Sequence, residues 1–124
     1  DLSELLDLLA ALALRFAAAR GVRVQVKRPP AAVRVTTAPF LLLNLMWLCL
    51  DGAMAAAGPG RTVELTAENA ADGACLRLRR IEGLKEVPAA FLSAEPKGAL
   101  CLALGAQLLL DPEKNEMALR LPKE

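Results

Sequence analysis

Leu2, Leu5, Leu9, Leu12 and Phe16 recur at steps of three and four residues, the stripe that an amphipathic helix turns toward a core. Asp1 and Glu4 are placed as a capping pair at its start, and Gly21 stops it after Arg20. The period then changes to two. Val22, Val24 and Val26 alternate with Arg23, Gln25 and Lys27, which predicts a half-buried strand with one wet face. Arg28-Pro29-Pro30 turns the chain, and residues 32–35 form a second short strand. Thr36 or Thr37 caps the next helix, with Pro39 accommodated in its first turn.

That helix, residues 38–57, is apolar on nearly every side and is therefore expected at the centre of the domain, covered by other elements. Asn44 and Asp51 interrupt its apolar run before the roughly 20 residues that a membrane span needs. Gly58-Pro59-Gly60 ends it. Residues 62–67 and 75–79 read as antiparallel strands joined by a hairpin loop at 69–73. A short helix at 87–93 and a second apolar helix at 98–110 follow. Met117, Leu119 and Leu121 alternate in a last strand before Pro122. The order α-β-β-α-β-β-α-α-β predicts an α+β two-layer sandwich, a mostly antiparallel sheet with helices on one face.

Composition narrows the chemistry. The 124 residues fit one domain, and a hydrophobic share of 55% supplies its core. Fifteen basic against fourteen acidic residues leave a net charge of +1, which offers no electrostatic case for nucleic acid or an anionic membrane. With no histidine in the chain, His general-base catalysis, His metal ligation and a phospho-accepting His are excluded within it. Cys49, Cys75 and Cys101 form no CxxC pair and are expected as small buried hydrophobes. The opening residues are acidic, so a cleaved leader is not expected and a cytoplasmic location is.

Several stretches, in order, resemble one family. "DLSELLDLLAALALRFAAARGVRVQVKRP" is similar to the entry of the ATPase domain of sensor histidine kinases, of the gyrase, Hsp90, histidine kinase and MutL (Bergerat-fold) superfamily. "GRTVELTA" resembles its "GGxVxVxA" strand, "KGALCLALGAQLLL" its "GTGLGLAL" turn and helix, and "MALRLP" its closing strand. The resemblance implies the same fold, a place in two-component signalling, and a cleft for Mg·ATP.

The cleft motifs depart from that pattern. In "WLCLDGAMA" the resemblance puts Trp47 at the first Asn of the family's central helix and Asp51 at the second, which holds Mg²⁺. Tryptophan can neither orient water nor take a proton, whereas a carboxylate suits a hard cation, so Asp51 is the one candidate metal ligand. Its alternative is an ion pair with a basic side chain such as Arg79 or Arg80. Arg80 stands where the adenine-binding Asp belongs, and a cation cannot accept the adenine amine's hydrogen bond. Glu82 and Gly83 are displaced remnants of that motif. Gly98 alone survives in the last glycine-rich turn, with Ala99 and Cys101 replacing its companions. Residues 84–96 are short for an ATP lid.

Trp47, Asp51, Arg80, Gly98 and Ala99 therefore outline a degenerate nucleotide cleft. The leading expectation is a pseudo-ATPase: a docking or regulatory module of a phosphorelay, with no catalytic residue of its own and without Mg·ATP as cofactor. It would meet a response regulator, or a helical dimerisation or phosphotransfer domain that carries the His. "LLLNLMWLCLDGAM" also resembles the ATPase-like domain of ChpT-type histidine phosphotransferases, and on this reading the chain is part of a longer protein. Two alternatives stay open. One is a divergent kinase domain, including an anti-sigma-factor kinase, that still binds Mg·ATP through Asp51 and Gly98. The other is a ligand-sensing domain using the former cleft, lined by Trp47, Ala99 and Cys101. The arginines at 77, 79 and 80 are expected on a solvated sheet face, with phosphate or an acidic partner as the other reading.

Overall fold

A computed structural model describes residues 2–27, 33, 38–70, 73–84 and 97–122. In chain order it contains α1 (Leu2–Arg20), β1 (Arg23–Lys27), α2 (Pro39–Ala57), β2 (Thr62–Ala70), β3 (Gly73–Arg79), α3 (Lys97–Leu104), β4 (Gln107–Asp111) and β5 (Glu116–Pro122). The strands form one sheet in the order β1-β2-β3-β5-β4. Only β1 and β2 run parallel, with Val24 beside Val63, because α2 carries the chain back between them. The other pairings are antiparallel. This is the expected α+β sandwich with a mostly antiparallel sheet.

Alternation divides the sheet into two faces. Val63, Leu65, Ala67, Ala74, Leu76, Leu78, Leu108, Met117, Leu119 and Leu121 are buried and join the core that the helices share. Cross-strand register stacks Leu65 on Leu78, Leu78 on Met117 and Leu76 on Leu119. The opposite face carries Glu64, Thr66, Arg77, Arg79 and Glu116. There Arg77 Nε donates to Glu68 Oε1 at 2.6 Å, and Arg77 and Arg79 both reach Glu116, at 3.5 and 3.2 Å. The Arg79 contact is an ion pair without hydrogen-bond geometry, and its buried Nε stays unsatisfied. The hydrogen bond to Glu68 raises the Arg77 pKa further above its ordinary value. The arginine run is thus a paired sheet face at 77 and 79, while Arg80 leaves the strand with φ 66°.

The helix α2 is long and apolar enough to cross a membrane by length and composition. Here it lies in the core, with Leu42, Leu45, Met46, Cys49, Leu50, Ala53 and Met54 buried. It starts at Pro39 with Ala38 as N-cap and no side-chain cap; the expected caps Thr36 and Thr37 lie outside the described residues. Gly58 ends it at φ 80°, its N–H donating to the Met54 carbonyl.

Three expectations need correction. The buried stripe of α1 is Leu2, Leu6, Leu9, Ala13 and Ala17, whereas Leu12 and Phe16 are 55% and 53% exposed. Counting large side chains misplaced the stripe, because alanines at 13 and 17 let the helix close on its neighbours. The helix expected over 98–110 ends at Leu104. Gly105, at φ 65°, donates to Leu102 O at 3.3 Å, and Ala106 to Cys101 O at 2.8 Å, a Schellman turn that satisfies the last carbonyls. Residues 107–111 are then free to form β4. Gly21 closes α1 in the same way, through Gly21–Ala18 and Val22–Ala17 bonds. Finally, the β2–β3 ladder continues to Ala70 opposite Gly73, so Asn69 and Gly73 are strand residues rather than loop. The expected helix at 87–93 and all of the strand at 32–35 except Val33 lie outside the described residues.

Leu50 is fully buried and Leu102 is 86% exposed. Leu50→Ala is expected to lower unfolding free energy by about 2–5 kcal/mol, and Leu102→Ala by less than about 0.5 kcal/mol, read by urea denaturation.

Candidate functional site

The residues that sequence places in the cleft fall on three elements. Trp47 and Asp51 lie one turn apart on α2, Gly98 and Ala99 in the first turn of α3, and Arg80 just after β3. The α2 pair is met by α1. The rings of Phe16 and Trp47 are tilted at 58° with centroids 5.2 Å apart, a favourable aromatic geometry. One turn further along both helices, Arg20 Nη2 lies 2.6 Å from Asp51 Oδ1, and Arg20 Nη1 donates to the Asp51 carbonyl at 2.9 Å. Matching steps of four on each helix show that α1 and α2 run in the same direction here. Asp51 is therefore ion-paired, but with Arg20, not with Arg79 or Arg80 as expected. The spacing Phe16-x-x-x-Arg20 against Trp47-x-x-x-Asp51 is the sequence signal for this pairing, and it conflicts with a core position for Phe16.

Arg20 and Asp51 keep 39% and 42% of their side-chain surface exposed. The pair is held by geometry at two points rather than by a dry environment, and its Coulomb energy is screened. Asp51 is also the one charged residue on α2. Among the described residues, no three Cys, Asp or Glu side chains converge in a way that could hold a metal ion. As a donor set for a divalent cation this is a poor fit, since the single carboxylate is already satisfied by a guanidinium.

On the other side of α2, toward α3, Cys49 is buried and its thiol is pushed up to about 12, first by burial and then by Cys101, with Lys97 opposing. Cys101 and Cys75 are also raised, mainly by burial. All three are free thiols, protonated at neutral pH and so poor nucleophiles. Lys97 is buried at the start of α3; beside it Gly98 is half-buried and Ala99 exposed. Among the described residues, no hydrogen bond, ion pair or ring contact joins Arg80, Gly98 or Ala99 to Trp47 or Asp51. The expected lid at 84–96 lies outside the described residues but for Leu84, which is buried.

Gly83 has a role that sequence did not reveal. A Cβ there would stand 1.9 Å from the Ala56 carbonyl oxygen of α2, so only glycine lets this segment cross the helix's last turn. The neighbouring Glu82 pairs with Arg61 at 2.8 Å, and Ile81 N–H donates to the Asn115 carbonyl at 3.0 Å. This anchors the chain between β3 and residue 84 from two directions.

No family model and no curated protein matches the sequence. Solved structures do match the fold. The ATP-binding domain of PrrB from Mycobacterium tuberculosis is similar at 21% identity and a TM-score of 0.76, over 100% of this chain and 95% of that one. Full-length ShkA in complex with AMPPNP matches with a TM-score of 0.80 at 18% identity, over 98% of this chain and 30% of that one. Histidine kinase ThkA in complex with the response regulator protein TrrA matches at 0.75 and 12% identity, over 100% of this chain and 41% of that one. The chain has the fold of a histidine-kinase ATP-binding domain.

Two substitutions test the geometry. Gly83→Ala is expected to destabilise by at least about 1–3 kcal/mol, because backbone rather than a side-chain tip blocks the new methyl group; thermal melts check this. A double-mutant cycle on Arg20→Met and Asp51→Asn is expected to give a coupling of about 0.2–1 kcal/mol that shrinks in 1 M NaCl.

Proposed function

We propose that this chain is a histidine-kinase-like ATPase domain in two-component signalling that serves as a docking or regulatory module, with a nucleotide cleft too altered to support phosphoryl transfer. The observation that carries this reading is Asp51. It is the only carboxylate on the helix where the resemblance puts the metal ligand, and the guanidinium of Arg20 engages both its side chain and its backbone carbonyl. A divalent ion would have to displace that cation. Two other features support the reading. Trp47, its ring tilted against that of Phe16, brings no group that activates water. Arg80 projects into solvent from a left-handed backbone and offers adenine no acceptor. A response regulator is the partner class suggested by the ThkA–TrrA complex, and a helical dimerisation or phosphotransfer domain would supply the histidine this chain lacks.

Titration calorimetry with ATP and ADP, with and without Mg²⁺, tests this directly. No heat is expected at millimolar nucleotide. Micromolar, Mg²⁺-dependent binding abolished by Asp51→Ala would overturn the proposal in favour of a divergent kinase domain, the reading to which the AMPPNP complex of ShkA lends weight. Retained folding of Asp51→Ala by circular dichroism separates loss of binding from loss of structure.

A further inference from the structure

The strand β1 ends the sheet: among the described residues only β2 lies beside it. Arg23 N–H donates to the Arg61 carbonyl at 3.0 Å, which turns the main-chain groups of Arg23, Gln25 and Lys27 toward β2. By the alternation of a strand, those of Val24 and Val26 point the other way, off the edge of the sheet. Main-chain donors and acceptors in that position are a template for one more strand.

The space beside this edge suits such a strand. Ala10, Leu14 and Ala18 of α1, with Val22 and Val24, line a groove of about 500 Å³. From Ala10 to Ala18 the helix rises about 12 Å, room for two side chains that stand about 7 Å apart on one face of an extended segment. Charge then selects the occupant. The other face of β1 carries Arg23, Gln25 and Lys27, all exposed. The cross-strand neighbours of the two cations on β2 are the neutral Thr62 and Thr66, and among the described residues neither cation enters an ion pair. An in-register copy of β1, parallel or antiparallel, would oppose both with further cations, which is destabilising. A strand with carboxylates at those positions would gain instead. We infer that the outer edge of β1 takes up an extended segment of a partner protein, apolar on the side facing α1 and acidic on the other. Main-chain pairing supplies the affinity of such an added strand, and the groove and the two cations its specificity. The inference stands on β1 and its groove, whether or not the cleft binds nucleotide.

A capped, fluorescent seven-residue peptide of alternating valine and glutamate is the probe, with lysine in place of glutamate as the control. Its glutamates, four apart, would face Arg23 and Lys27 while its valines enter the groove. Fluorescence anisotropy is expected to show saturable micromolar binding of the glutamate peptide only, and hydrogen exchange to slow at the Val24 and Val26 amides. Ala18→Phe, which fills the groove, and the double variant R23E/K27E are each expected to weaken binding at least about tenfold. All three positions are exposed, so circular dichroism should be unchanged. A glutamate peptide that does not bind, binds no better than the lysine control, leaves those two amides unprotected or is indifferent to either variant overturns the inference. Concentration-dependent protection of the same amides without peptide overturns it too, in favour of a second copy.

Discussion

The helix α2 has no polar side to offer water beyond Asn44, Asp51 and the ends of its first and last turns. A helix of that composition is stable in solution only when other elements cover most of its circumference. Its buried residues Leu42, Leu45, Met46, Cys49, Leu50, Ala53 and Met54 join the core shared with the sheet, α1 closes on the side bearing Trp47 and Asp51, and α3 lies near Cys49. Each of these neighbours has a complementary apolar face for this reason. Burying a single leucine from α2 is worth about 1.5–3 kcal/mol, so the helix as a whole outweighs every polar contact described above.

Covering α2 also dictates the backbone devices at its periphery. The helices on either side must stop abruptly so that the chain can return to the sheet, and Gly21 and Gly105 provide that stop with matching Schellman turns. Gly83 passes so close to the last turn of α2 that no side chain fits. The parallel pairing of β1 with β2 follows from α2 being the connection between them. By contrast, β5 enters the sheet between β3 and β4, which places its Met117, Leu119 and Leu121 beneath the helices.

Period and punctuation made most of this legible. The valine alternation of β1, the apolar length of α2 and the Met-Leu-Leu alternation of β5 each carried one unambiguous period. The β4 strand was not legible because Leu108, Leu109 and Leu110 form an unbroken apolar run, which strand and helix share. Only the left-handed Gly105 decides between them. In α1 leucine spacing points to the wrong register, because Ala13 and Ala17 complete the buried stripe. At the candidate site, the altered positions Trp47, Asp51 and Arg80 could be read individually. Their partners could not, since Arg20 is 31 residues from Asp51 and nothing local links them.

Several charges among the described residues are engaged in pairs: Arg20 with Asp51, Arg61 with Glu82, Arg77 with Glu68 and Glu116, and Arg79 with Glu116. At about 0–1 kcal/mol each, such surface pairs do little to hold the fold. Their consequence is chemical. A carboxylate already matched by a guanidinium attracts a cation less, and an arginine already matched by glutamate attracts phosphate less. To hold a magnesium triphosphate through α2, this chain would need a free oxygen donor on that helix. Here the one carboxylate on that helix is compensated by a residue of α1. The carboxylate on α2 is thus already committed, and a cation reaches it only by displacing Arg20.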